Sequence, residues 1–124
     1  MKVAVSASGP SLNAAMDPRF GRCAYLVLVQ PSDMRYEAVL NVNGALGEGA
    51  GLQSARLVAE RGVKVVLTGN VGPNAHQALS AAGIEVIVGC SGTVTEAVER
   101  FKSGQLRGAA APNVARHAGM GGRQ

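Results

Sequence analysis

Arg19 and Arg22 stand in DPRFGRC (17–23), flanking Phe20 and Gly21. Two further stretches share a different chemistry. Gly69-Asn70-Val71-Gly72 precedes Pro73 and Asn74, and Gly89-Cys90-Ser91-Gly92 precedes Thr93. Guanidinium groups hold anions through fixed charge and forked N–H donors. A glycine turn opening a helix points backbone N–H groups, and the positive end of a dipole, at one spot. The candidate anion-binding residues are therefore Arg19, Phe20, Gly21, Arg22, Gly69, Asn70, Gly72, Asn74, Cys90, Ser91 and Gly92. Cys90 and Cys23 are the candidate soft metal contacts, and burial as small hydrophobes is the competing reading for both. Taken alone, each segment is an ordinary strand-to-helix turn or loop. A site requires the fold to gather them.

The elements that would do so follow from patterning. Residues 2–6 (KVAVS) form a first strand, and 7–23 a long loop of glycine, proline and serine. Residues 24–30 (AYLVLVQ) turn at Pro31-Ser32-Asp33 into 35–41 (RYEAVLN), an antiparallel hairpin. A second glycine-rich loop, 42–51, feeds a helix over 52–60 that stops at Gly62. From there a repeat begins: Gly62, Gly83 and Gly104 are 21 residues apart. GVKVVLTGNVGPNAHQALSAA and GIEVIVGCSGTVTEAVERFKS align without a gap. Each reads as strand, loop and helix, ended by the next glycine just past the helix. Pro73 suits a first helical position. Thr93 occupies the N-cap position matching Gly72, and Glu96 completes a capping box.

Alternating strands and helices imply parallel strands with right-handed crossovers. The sequence predicts an α/β fold with a five-stranded mixed sheet in order 3-2-1-4-5, strand 2 antiparallel and helices on both faces. The loops 7–23, 42–51, 68–72 and 89–92 then share one edge, where strand order reverses between strands 1 and 4. Ligands of open α/β sheets bind at such a point. Arg19 and Arg22 are expected there beside the N-termini of both repeated helices. Cys23 and Cys90, three strand spacings apart, are expected about 14 Å from each other, too far for a disulfide.

Composition narrows the function. The 124 residues suffice for one domain with a real core, 47% of them hydrophobic but only 3% aromatic. No run approaches the roughly 18–20 apolar residues of a membrane span, and MKVAVSASG is too short an apolar run for a secretory signal, so a cytoplasmic protein is expected. Of the net charge of +4, Arg107, Arg116 and Arg123 supply +3 in a stretch without Asp or Glu. The expected division is a domain over 1–104 and a flexible basic tail over 105–124. With no Trp and no Lys/Arg cluster, nucleic-acid binding is not expected. His76, His117, Met16 and Met120 read as surface, tail or packing residues.

Read together, DPRFGRC (17–23), GEGAGLQSA (47–55), GNVGPNA (69–75), AAGIEV (81–86) and GTVTEAV (92–98) resemble the dinitrogenase iron–molybdenum cofactor biosynthesis family, the nitrogenase accessory-factor-like domain, from residue 1 to about 104. The resemblance implies a three-layer ribonuclease-H-like motif and a protein that binds or carries an anionic metal–sulfur cluster. Some members stand alone outside nitrogen fixation, and one such type holds a molybdenum–copper sulfide cluster. Many relatives carry histidines in the loop after strand 3; this chain has Asn41-Val42-Asn43-Gly44-Ala45, which excludes imidazole ligation from that loop. Nor can two cysteines supply the four thiolates of an ordinary iron–sulfur cluster. A preformed cluster that brings its own sulfides needs neither.

The reading is a non-catalytic carrier for a molybdenum-containing sulfide cluster (Mo–Cu or Fe–Mo), held non-covalently, with a delivery or acceptor protein as the further partner. The alternative is an interaction or sensor module using the same cleft for another anion or a protein. An enzyme fits worse: strand 1 has no acidic residue for a nuclease-type metal site, and no G-x-G-x-x-G follows it.

Overall fold

The hairpin is the first element that the sequence enforces. β2 (Tyr25–Gln30) and β3 (Arg35–Leu40) pair antiparallel from Tyr25 opposite Leu40 to Gln30 opposite Arg35. The Met34 amide closes the turn on the Gln30 carbonyl at 2.7 Å, with Met34 in the left-handed region at φ 62°. β1 (Val3–Ala7) pairs antiparallel with β2 and parallel with β4 (Val65–Leu67), which pairs parallel with β5 (Glu85–Ile87). The order is β3-β2-β1-β4-β5, as the sequence predicts. These relationships come from a computed structural model that describes residues 1–44 and 49–106.

The helices are α1 (Ala50–Glu60), α2 (Pro73–Ala81) and α3 (Val94–Lys102). Each is followed by a glycine with φ near +80° at Gly62, Gly83 or Gly104, where a Cβ would be strained. That is the physical content of the 21-residue period. Helix α3 carries the expected capping box: Glu96 N donates to Thr93 Oγ1 at 3.1 Å, and Thr93 N donates to Glu96 Oε1 at 2.9 Å.

Period-two alternation sorts the strand side chains into two layers. Ala4, Leu26, Leu28, Val66 and Val86 face Ala55 and Val58 of α1 and Ala75 and Leu79 of α2. Val5, Val27, Val29, Leu67 and Ile87 face Val94, Ala97 and Val98 of α3. The handedness of crossovers explains the division. β3 to β4 and β4 to β5 both advance the same way across the sheet, so right-handed connections put α1 and α2 on one face. Helix α3 has no further strand to reach and folds back over the other. Burying β1 on both sides makes it the centre of the molecule; all five of its residues are buried.

Helix α1 begins two residues before the expected start, with Gly49 at its N-cap position and no capping side chain there to mark the boundary in the sequence. Leu106, inside the expected tail, still packs against the α3 layer; the rest of that tail, 107–124, lies outside the described residues. Among the described residues no helix is long and apolar enough to cross a membrane. Cys23 and Cys90 are free thiols buried in opposite layers.

Candidate functional site

The long first loop is pinned to the sheet edge by hydroxyls that the sequence reading did not single out. Ser6, at the end of β1, donates to the Asp17 carbonyl at 2.6 Å, and its oxygen lies 2.8 Å from Thr68 Oγ1, just past β4. Both side chains are fully buried. The Asn70 amide donates to the Pro18 carbonyl at 2.8 Å, so Arg19 and Asn70 form a parallel bridge. Gly69 permits this approach: a Cβ there would stand 2.6 Å from Pro18 Cα. In this way the switch point between β1 and β4 brings the DPRFGRC segment against the opening of α2.

A cavity of about 360 Å³ lies beside that junction. Arg19, Phe20, Gly21 and Arg22 form one wall. Asn70 to Ala75, including Gly72 and Asn74, form the second, and Ala50, Gly51 and Leu52 the third. Phe20 is 2% exposed and belongs to the core beneath. Among the described residues, neither α1 nor α2 has a side-chain cap or an acidic residue in its first turn. Two helix N-termini therefore present uncapped backbone N–H groups and two positive dipole ends to one space.

The charges are unequal. Arg19 donates from Nε to Asp17 Oδ1 and from Nη2 to Asp17 Oδ2, each at 3.1 Å, and its amide donates to Oδ1 at 2.9 Å. Burial alone would raise the Asp17 carboxyl, but the hydrogen bonds and charge of Arg19 outweigh it and hold its pKa below the usual value. The same bonds raise the Arg19 guanidinium. Among the described residues Arg22 forms no ion pair and is exposed. Its charge is the one the cavity holds unopposed by a described carboxylate.

Not all of the expected residues meet. Cys90, Ser91 and Gly92 do not line the cavity, because α3 opens on the opposite face of the sheet, and Gly69, packed against Pro18, lies outside the lining too. The first loop reaches this second helix too, but it closes it off. Val94 N donates to the Ala14 carbonyl, Thr95 N to the Leu12 carbonyl and Met16 N to the Gly92 carbonyl, at 3.0, 3.0 and 2.8 Å. With Glu96 N held by Thr93, the opening amides of α3 are occupied. The Ser91 carbonyl accepts from Arg100. The expected convergence of both repeated helices is thus corrected: α2 shares the cavity with α1 instead of α3.

The thiols are equally enclosed. Cys23 Sγ donates to the Phe20 carbonyl at 3.2 Å, and burial pushes its pKa up to about 11. Cys90 lies 3.6 Å from the Ile87 carbonyl, and burial raises its pKa as well. Among the described residues no three of His, Cys, Asp and Glu gather closely enough to hold a metal ion.

Residues 1–104 match the family described as dinitrogenase iron–molybdenum cofactor. The chain belongs to that family. Within the dinitrogenase iron–molybdenum cofactor fold, the orange protein of Desulfovibrio gigas, solved in its apo form, superposes with a TM-score of 0.87 at 48% identity, covering 90% of this chain and 95% of that one. A NifB-like protein from Thermotoga, solved by NMR, gives 0.80 at 30% identity over 93% and 98% of the two chains. An uncharacterized protein of Methanocaldococcus jannaschii is 28% identical over 109 residues, 86% of this chain and 89% of that protein. These likenesses support a cluster-related role; the geometry of the cavity bears on what such a role requires.

Proposed function

We propose that this protein is a non-catalytic carrier for a preformed, anionic metal–sulfur cluster containing molybdenum, of the Mo–Cu sulfide or Fe–Mo type. The observation that carries the reading is the cavity, lined by Arg22 and by the openings of two helices that have no side-chain cap among the described residues. A cluster that brings its own sulfides as ligands asks the protein for charge, N–H donors and room. Arg22 and Arg19 supply the charge, and the first-turn amides of α1 and α2, at Gly51, Leu52, Asn74 and Ala75, supply the donors. Gly72, where a Cβ would meet nothing within 4 Å, leaves the backbone open to close approach, while Gly21 lets the α1 backbone pack against the Arg22 segment. No thiolate is needed, in keeping with two buried thiols whose pKa values are raised.

A cargo handed over whole implies a delivery or acceptor protein, and the cytoplasm is the place of that exchange in this reading. The test is an anaerobic titration of the apo-protein with tetrathiomolybdate and cuprous ion. The reading expects a stoichiometric visible chromophore that stays with the protein through gel filtration. A chromophore that separates from the protein would overturn it and leave the cavity to another anion or to a protein partner.

A further inference from the structure

Beneath the cavity lies a buried polar cluster that the carrier reading does not use. Asn41 follows β3 and is 5% exposed; Ser54 sits in the second turn of α1 and is fully buried. The Asn41 Nδ2 donates to the Gly21 carbonyl at 3.1 Å and to the Cys23 carbonyl at 2.9 Å. Its Oδ1 accepts from Ser54 Oγ at 3.1 Å and from the Asn43 amide at 3.4 Å. All four hydrogen-bonding positions of one side-chain amide are used, and they join three separate parts of the chain. A buried polar group so completely satisfied fixes geometry, because any displacement strands a donor or acceptor away from water.

The parts that it joins are two walls of the cavity. Gly21 is flanked by Phe20 and Arg22, and α1 supplies Ala50, Gly51 and Leu52. These walls also touch backbone to backbone, since a Cβ on Gly21 would stand 2.6 Å from the Gly51 nitrogen. Contact sets how near they come, while the Asn41 amide sets their register. We infer that Asn41, acting with Ser54, is a positioning residue for the cavity: it aligns the Arg22 segment with the α1 N-terminus without touching the guest. This rests on the carrier reading for its functional meaning but not for its structural content.

Two variants test it. Ser54→Ala removes the hydroxyl that donates to Asn41 Oδ1 at 3.1 Å and also lies 3.4 Å from the Gly21 carbonyl, so it loosens the tie between α1 and the Arg22 segment while keeping a small side chain in the core. Asn41→Asp puts carboxylate oxygen against two carbonyls. In the ligand-free protein, Ser54→Ala is expected to move the amide resonances of Gly21 and Gly51 and to leave those of Val94, Thr95 and Glu96 in place. Tetrathiomolybdate, measured well below the unfolding temperature, should then bind about tenfold more weakly, and more weakly still to Asn41→Asp. A Thr93→Ala protein destabilised to the same degree should bind the probe as the parent does, which separates positioning from general stability. Unmoved Gly21 and Gly51 resonances in Ser54→Ala, or equal weakening in Thr93→Ala, would overturn the assignment. If the parent fails to bind tetrathiomolybdate, the carrier reading falls, and the ligand-free spectrum still decides whether Asn41 aligns the two walls.

Discussion

Gly21 and Gly51 meet with no side chain between them: a Cβ on Gly21 would lie 2.6 Å from the Gly51 nitrogen and 2.7 Å from its Cα. Thirty residues of sequence separate two segments that share one wall junction of the cavity. A methyl group on Gly21 must push against the backbone of α1, which has Ala75 of α2 behind it, 3.1 Å from where a Gly51 Cβ would be. Gly21→Ala should therefore cost about 1–3 kcal/mol, the usual range for overpacking, read as a lower denaturation midpoint at unchanged m-value. Tetrathiomolybdate affinity should drop in the same variant, because the α1 amides move with the helix.

The two arginines should behave differently. Removing a charged hydrogen-bond partner costs about 1.5–3 kcal/mol, so Arg22→Ala should weaken tetrathiomolybdate binding by roughly tenfold to a hundredfold. Arg19→Ala should weaken it less, since Asp17 already claims that guanidinium. Asp17→Asn should tighten binding, by freeing Arg19 and removing a nearby negative charge. Titrations at low and high salt check all three, and the gaps between variants should shrink as salt rises.

Thr93→Ala supplies the contrast. Loss of this N-cap should cost about 1 kcal/mol, seen in thermal or denaturant unfolding. Anion affinity should be unchanged, because α3 opens on the far face and its first amides are held by Leu12, Ala14 and Thr93.

That contrast marks the limit of what the sequence discloses. Strand order, the hairpin, the helix stops at Gly62, Gly83 and Gly104 and the Thr93–Glu96 box are local patterns and were legible. So was the meeting of Arg19 and Arg22 with the turn at Gly69–Gly72. The equal spacing of the two repeats made α2 and α3 look equivalent, although which face a helix covers depends on where the chain goes next. Residues 50 and 51 were expected at this edge as loop; that they open a helix was not legible, because Gly49 carries no capping side chain. The Arg19–Asp17 pair lies at a two-residue separation with no helical regularity to flag it. Asn41, Ser54, Ser6 and Thr68 act through contacts between distant segments, which no local pattern records.

Cys23 gives a pH dependence with a definite sign. Its folded pKa of about 11 lies above the ordinary 9.0, so the unfolded chain releases this proton first. The stabilisation is complete below pH 9 and is lost as pH rises toward 11. Cys90, also raised, acts in the same direction. Unfolding free energy measured between pH 8 and 11 should fall with rising pH, and Cys23→Ala should flatten that fall. Chromophore retention by Cys23→Ser at neutral pH should match the parent, since the thiol is outside the cavity lining.

The most direct measurement is an amide chemical-shift map of the protein before and after loading with the tetrathiomolybdate–copper chromophore. The account predicts the largest changes at Gly21, Arg22, Gly51, Leu52, Asn74 and Ala75, with Ser91 to Glu96 unmoved. Changes centred on the α3 opening, or spread evenly over the molecule, would contradict it.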